Sequence, residues 1–140
     1  MYLLKKNKYG LIFDMHSYNY QREGVMPWYI DDRPVINIGT GAVNRQVFAH
    51  IIETFIGELK KISIGEHNLY VGENIIFKGG YLSRRLLKNH FYKLLFIAVE
   101  FKKIFMNELS GDLYENILTS LLGQYNNALL SIINNPFFKK

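Results

Sequence analysis

The chain has 140 residues, of which 49% are apolar and 21% charged, and this composition is typical of one globular domain, residues 1–140. It contains no cysteine, which excludes disulfide frameworks, thiolate zinc sites and cysteine nucleophiles. The net charge of +5 is unevenly spread, because residues 77–103 carry seven basic groups and one acid while residues 14–76 are net negative.

The first forty residues predict short strands of a mostly antiparallel sheet. Apolar or aromatic runs (YLL, YGLIFDM and VMPWYI) are separated by turn residues, and SYNYQR alternates aromatic with polar side chains as a half-exposed strand does. The sequence Asp-Asp-Arg-Pro, which ends at Pro34, predicts a turn. A further strand, PVINI, begins at that proline, where no ladder donor is needed.

The middle of the chain contains the clearest helical pattern. Apolar side chains recur at three- and four-residue steps between residues 41 and 62, with polar side chains on the opposite side, which predicts an amphipathic helix. The following run, NLYVGENIIF, predicts two short strands around a Gly-Glu-Asn turn.

From Tyr81 to Asn134 the pattern is helical throughout. It predicts a short helix, a long helix from His90 to Leu109, and a last helix opened by an Asp-x-x-Glu capping box. Because strands come first and helices later, the expected fold class is α+β, with the helical C-terminal half packed on one face of the sheet.

The motif Gly39-Thr40-Gly41 lies between a predicted strand and a predicted helix, as a dinucleotide-binding fingerprint would. The position for a third glycine is Asn44, and no acidic residue ends a second strand at the required spacing. We therefore interpret it as a sharp turn in which Thr40 or Gly41 caps the helix and Gly41 permits close packing. No cofactor and no metal are predicted.

Asp14 and His16 are two residues apart on a predicted strand, so both side chains are expected on one face. Asp14 could orient the His16 imidazole for general acid–base catalysis, or the two side chains could form only a surface hydrogen bond. Because no partner nucleophile is evident, no catalytic residue is assigned and the chain is not predicted to be an enzyme. A small hydrolase with an unrecognised site stays a second alternative.

The segment from residue 78 to residue 103 is strongly basic. Arg84, Arg85 and Lys88 can share one helical face and are the candidates for phosphate binding. Nucleic-acid binding is therefore the first alternative function. The same residues could instead form a solvated helix face that binds nothing.

An aromatic and acidic cluster supplies the candidate partner-binding surface. Aromatic side chains anchor protein interfaces, and nearby carboxylates speed the encounter with a basic partner. The candidates are Tyr18, Tyr20, Glu23, Trp28, Tyr29, Asp31 and Asp32.

In size and in its Asn-, Ile- and Lys-rich composition the chain resembles the small immunity proteins encoded beside bacterial contact-dependent or polymorphic toxins. The resemblance implies a cytoplasmic protein-binding inhibitor that occludes the active site or substrate groove of a cognate toxin. The sequence has no apolar stretch long enough to span a membrane, so no membrane association is expected.

Overall fold

The computed structural model describes residues 8–21 and 26–139. The elements in chain order are β1 (Gly10–Tyr18), β2 (Ile36–Gly39), α1 (Arg45–Leu59), β3 (Ser63–Ile64), β4 (His67–Asn68), β5 (Val71–Glu73), α2 (Tyr81–His90), β6 (Leu94–Lys102), α3 (Glu115–Ile133) and a 3-10 turn at Pro136–Lys139. No helix in the described ranges is long and apolar enough to cross a membrane. The predicted YLL strand and Glu23 lie outside the described residues.

Four strands form one sheet in the order β1-β6-β2-β5, and β3 and β4 form a separate hairpin. The α+β fold class is confirmed, but the mostly antiparallel pairing is not. Within the four-stranded sheet the β1–β6 and β2–β5 pairs are parallel and the β2–β6 pair is antiparallel; the separate β3–β4 hairpin is antiparallel. Strand direction depends on which distant segments pair, and a residue pattern within one strand carries no such information.

The prediction of a long helix from His90 to Leu109 is wrong, because the middle of this segment, Leu94–Lys102, is strand β6. Its residues are buried almost without interruption between β1 and β2. A continuous apolar run is compatible with a buried helix and with a central strand, and only the neighbouring strands decide between them. The strand predicted in VMPWYI is also wrong, because Trp28–Ile30 is a turn in which the Ile30 N–H donates to the Pro27 carbonyl at 3.0 Å.

The predicted amphipathic helix is confirmed as α1, although its cap is Asn44 and not Thr40 or Gly41. The Asn44 side chain accepts a hydrogen bond from the Gln46 N–H at 3.0 Å, which satisfies one free donor at the helix start. The buried stripe of α1 comprises Phe48, Ile51, Ile52, Phe55 and Leu59.

The two longer helices, α1 and α3, pack on the same face of the sheet, as expected. Phe13 of β1 contacts Phe55 of α1, with ring centroids 5.4 Å apart, and Phe101 of β6 contacts Tyr125 of α3 at 5.0 Å. The segment that leads into helix α2 crosses the opposite face of the sheet, where Ala98 lies. That second face carries the candidate site.

Two glycines let this crossing segment approach the sheet closely. A Cβ atom added to Gly39 would lie 2.8 Å from the Gly79 nitrogen, and one added to Gly41 would lie 2.7 Å from the Lys78 carbonyl oxygen. The Gly41 N–H donates to that same carbonyl at 2.8 Å. Backbone atoms of Lys78 and Gly79 thus occupy the space next to Gly39 and Gly41. This contact confirms the interpretation that Gly41 permits close packing.

We expect Gly39→Ala to destabilise the fold by about 1–3 kcal/mol, because the new methyl group would displace backbone and not a flexible side chain. Gly57→Ala is the matched control, since Gly57 lies in α1 and nothing stands within 4 Å of the added atom. That control should be neutral or stabilising by up to about 1 kcal/mol. Urea denaturation of both variants measures the difference, and equal stabilities would contradict the close approach.

Candidate active site

Three ionisable side chains share the sheet face that the helices α1 and α3 leave uncovered. In the parallel β1–β6 pair, His16 lies beside Glu100 and Asp14 beside Ala98. Alternate residues of a strand point to the same face, so Asp14, His16 and Glu100 converge. The small Ala98 side chain leaves space in front of the two carboxylates and the imidazole.

The imidazole of His16 is oriented by Asp14. The His16 Nε2 atom lies 2.9 Å from the Asp14 Oδ1 atom, and the two side chains are 51% and 28% exposed. A neutral imidazole that donates from Nε2 keeps Nδ1 as its basic nitrogen. Because the ring is half exposed, water can reach that nitrogen, and the pair has the geometry of a general base with its orienting carboxylate.

Glu100 is the second carboxylate near the imidazole, and like Asp14 it is partly buried. Burial raises the pKa of Glu100; the neighbouring His16 opposes this rise and the Asp14 charge adds to it. The carboxyl group is therefore held closer to its protonated form than an ordinary glutamate. A raised carboxyl pKa next to an imidazole is typical of paired acid–base groups.

A cavity of about 420 Å³ opens above these side chains. Its floor is formed by Asp14, His16, Ala98 and Glu100, and its wall by the segment 76–80. Gly79 has a φ of +100°, a conformation that favours glycine, and Gly80 is the N-cap of α2. The first N–H groups of a helix have no acceptor inside it, and this wall leads directly into those of α2.

Together these groups can remove a proton from water, supply a proton to a leaving group and stabilise negative charge on a carbonyl oxygen. Among the described residues, no group of three or more His, Cys, Asp or Glu side chains is placed to hold a metal ion.

Three members of the predicted partner-binding surface have partners inside the protein. The Asp31 side chain is 4% exposed, and its carboxylate lies 2.7 Å from the Arg33 Nη2 atom and 3.4 Å from the Nζ atom of the fully buried Lys102. Tyr18 donates its hydroxyl hydrogen to the Pro34 carbonyl, and Tyr20 is buried beneath the Lys102 ammonium. These side chains hold the end of the sheet together.

The buried charges near Asp31 shift each other's protonation. Burial pushes the pKa of Asp31 upward, but hydrogen bonds from Arg33 and the charge of Lys102 outweigh it, so the pKa lies below its ordinary value. Burial lowers the pKa of Lys102, and the Asp31 carboxylate opposes that change. The ion pair between Asp31 and Lys102 therefore contributes to the structure of the protein interior.

The remaining described members of that surface are more open to solvent. Tyr29 is exposed and its ring stacks on His67 with centroids 4.1 Å apart, while Trp28 meets the same histidine edge-on at 5.7 Å. Asp32 is exposed. Trp28, Tyr29 and Asp31 line one cavity together, and partner binding by the candidate residues stays a prediction.

The basic candidates do share one exposed face of α2, as the spacing predicts. Arg84, Arg85 and Lys88 line a groove of about 490 Å³ together with Tyr81 and Asn89. The Arg85 Nη1 atom donates to the Tyr81 hydroxyl at 2.9 Å. Phosphate binding at this face stays a prediction.

Sequence reasoning singled out Asp14 and His16 but missed Glu100. Glu100 lies in the segment that was predicted to be helical, where it would point away from any strand face. The available signal was a single acid inside an otherwise apolar run, LLFIAVEF, which a strand interpretation would have aligned with a neighbouring strand.

Neither a protein-family model nor a curated protein sequence matches the chain. The fold is similar to the crystal structure of N-formylglutamate amidohydrolase from Ralstonia eutropha JMP134, with a TM-score of 0.58 and 13% sequence identity. The match covers 88% of this chain and 43% of that enzyme, so the chain spans less than half of the length of that hydrolase. At this identity the likeness establishes a shared fold.

This finding overturns the prediction of a protein-binding inhibitor without enzymatic activity, because a solved protein with a similar fold is named as an amidohydrolase. Size and composition suggested the inhibitor, and neither property carries information about how side chains meet across a sheet. The expected protein partner and the nucleic-acid partner stay predictions.

Proposed function

We propose that this chain is an amide hydrolase that works by general acid–base catalysis. The observation that carries the proposal is the convergence of the Asp14–His16 pair and Glu100 on the floor of one cavity. The neighbour with the same fold adds support, since it is named as an amidohydrolase.

In the proposed reaction, Asp14 holds the His16 ring while the imidazole removes a proton from a water molecule in the cavity. The water oxygen attacks the carbonyl carbon of the amide, and the wall of backbone at the start of α2 stabilises the oxyanion. The C–N bond then breaks, Glu100 donates its proton to the leaving nitrogen, and a carboxylic acid and an amine are released. Transfer of the His16 proton to Glu100, directly or through water, restores both groups to their starting states.

The substrate class we infer is an N-acyl amino acid. The neighbour is named for N-formylglutamate, which has an amide bond of this kind. A cavity of about 420 Å³ lies within the range of small-molecule sites in proteins. Its position above an edge strand leaves it open to solvent, so a small substrate can enter directly.

The test is hydrolysis of a panel of N-formyl and N-acetyl amino acids by the purified chain, with detection of the released amine. We expect turnover by the wild type and a fall of about 100-fold or more in kcat for His16→Ala. His50→Ala is the matched control, because His50 is an exposed histidine on α1, and it should keep wild-type activity.

Parallel assays with added Zn²⁺ and with a chelator separate a proton-transfer role of His16 from a role as a metal ligand, since imidazole and carboxylate also bind zinc. Absence of turnover on every substrate with and without metal would refute the proposed function. Turnover that survives in His16→Ala would leave a hydrolase but remove His16 from its mechanism.

A further inference from the structure

A second cavity, of about 500 Å³, adjoins the candidate active site. The two cavities share Ile76 and Phe77 as a common wall. The second cavity lies where β1 and β6 end, and the carboxyl ends of strands are where open α/β sheets bind their ligands. Its remaining lining residues are Ser17, Tyr18, Asn19, Arg33 and Lys103.

Lys103 lines this cavity and supplies an ammonium group that forms no ion pair with a carboxylate of the described residues. Its backbone N–H donates to the Tyr18 carbonyl at 3.0 Å, which fixes the base of the side chain at the end of β6. In residues 8–21 and 26–139, no carboxylate lies within 4.0 Å of the Lys103 ammonium, whereas Lys102 and Arg33 both pair with Asp31.

The walls of the second cavity suit an anion with a short carbon chain. The rings of Tyr18 and Phe77 pack against each other with centroids 5.7 Å apart, and they give one side an apolar surface. Ser17 and Asn19 add polar side chains on the rim. A cation beside apolar walls attracts a carboxylate more strongly than the same cation in open solvent would.

We propose that this second cavity is a carboxylate-binding subsite, in which Lys103 binds an acidic side chain of the substrate while the scissile amide lies over His16 and Glu100. The inference rests on the proposed function and adds a preference for acidic N-acyl amino acids. Ile76 and Phe77 line both cavities, so the two binding regions are adjacent, and the proposal requires one ligand to extend across both.

The test compares N-formylglutamate with N-formylglutamine, which has nearly the same shape and no side-chain charge. We expect the wild type to prefer the acid by about tenfold in kcat/KM. Lys103→Gln should remove this preference by raising KM for the acid about tenfold, with kcat and the constants for the amide nearly unchanged. Lys103→Arg should restore most of the preference because it keeps the positive charge.

Lys93→Gln is the matched control, because Lys93 is exposed and lines neither cavity. An equal loss on both substrates in Lys103→Gln, or no preference in the wild type, would overturn the subsite. Binding of glutarate, followed by NMR, gives a readout that does not need turnover. If neither substrate is hydrolysed, the proposed function fails; glutarate binding that Lys103→Gln abolishes would still support the subsite, and equal or absent binding would overturn it.

Discussion

Glu100→Gln is expected to lower kcat for amide hydrolysis by about 100-fold or more, with little change in KM. A glutamine side chain keeps the size and position of the carboxyl group but cannot donate the proton that the leaving nitrogen needs. Loss of a positioned general acid typically costs 100- to 10,000-fold in rate. Steady-state kinetics on the preferred substrate measures the effect, and Glu66→Gln, at an exposed acid, is the control.

The pH profile gives an independent test of the same role. As a general acid, Glu100 must be protonated, so wild-type kcat should fall as the pH rises through the pKa of Glu100. Burial places that pKa above the ordinary glutamate value, so the fall should begin at a higher pH than an exposed glutamate would give. The residual activity of Glu100→Gln should lack this alkaline limb. If the fall of kcat at high pH persists in the variant, a group other than Glu100 causes it.

Unfolding of the Glu100→Gln variant would not explain the expected loss of kcat, because this substitution is expected to leave the stability at neutral pH unchanged or to raise it. A carboxyl whose pKa is raised by folding favours the native state below its unfolded pKa, and this contribution disappears as the pH rises through the folded pKa. At neutral pH, Glu100 therefore opposes folding. We expect Glu100→Gln to unfold at the same or a higher temperature than the wild type, and a lower Tm would point to a structural role.

Asp31→Ala is expected to destabilise the protein by about 3–5 kcal/mol at neutral pH. The fully buried Lys102 ammonium would lose its carboxylate partner, and an uncompensated buried charge is costly. Arg33 would also lose the hydrogen bonds that tie it to Asp31. Urea or thermal denaturation measures the loss.

Asp32→Ala is the matched control, because Asp32 is the neighbouring aspartate but is exposed, and its change should lie within about 0.5 kcal/mol. Acid should reduce the difference between wild type and Asp31→Ala. The pKa of Asp31 is lowered by folding, so its contribution is present above the unfolded pKa and is lost as the pH falls through the folded pKa. Equal destabilisation by both substitutions would contradict the buried ion pair.

The sequence by itself determined those features that depend on local periodicity and on small motifs. The apolar stripe of α1 has a helical period, and the Gly-Thr-Gly turn has the residues that close backbone contact requires. The two-residue spacing of Asp14 and His16 predicted that both side chains share one face, and the structure places the two side chains 2.9 Å apart. Each of these features is encoded within a short segment, so no distant residue was needed to predict it.

The tertiary structure decided everything that depends on which distant segments meet. β6 was interpreted as a helix because its apolar run fits both structures, and its place between β1 and β2 makes it a strand. The same pairing brings Glu100 beside His16, although the two are far apart in sequence. Asp31 was assigned to a partner-binding surface because it belongs to an aromatic and acidic cluster in the sequence, and only the fold brings Lys102 within reach of its carboxylate. A strand pattern fixes which face a side chain occupies, but long-range pairing fixes its neighbours, and the candidate active site consists of such neighbours.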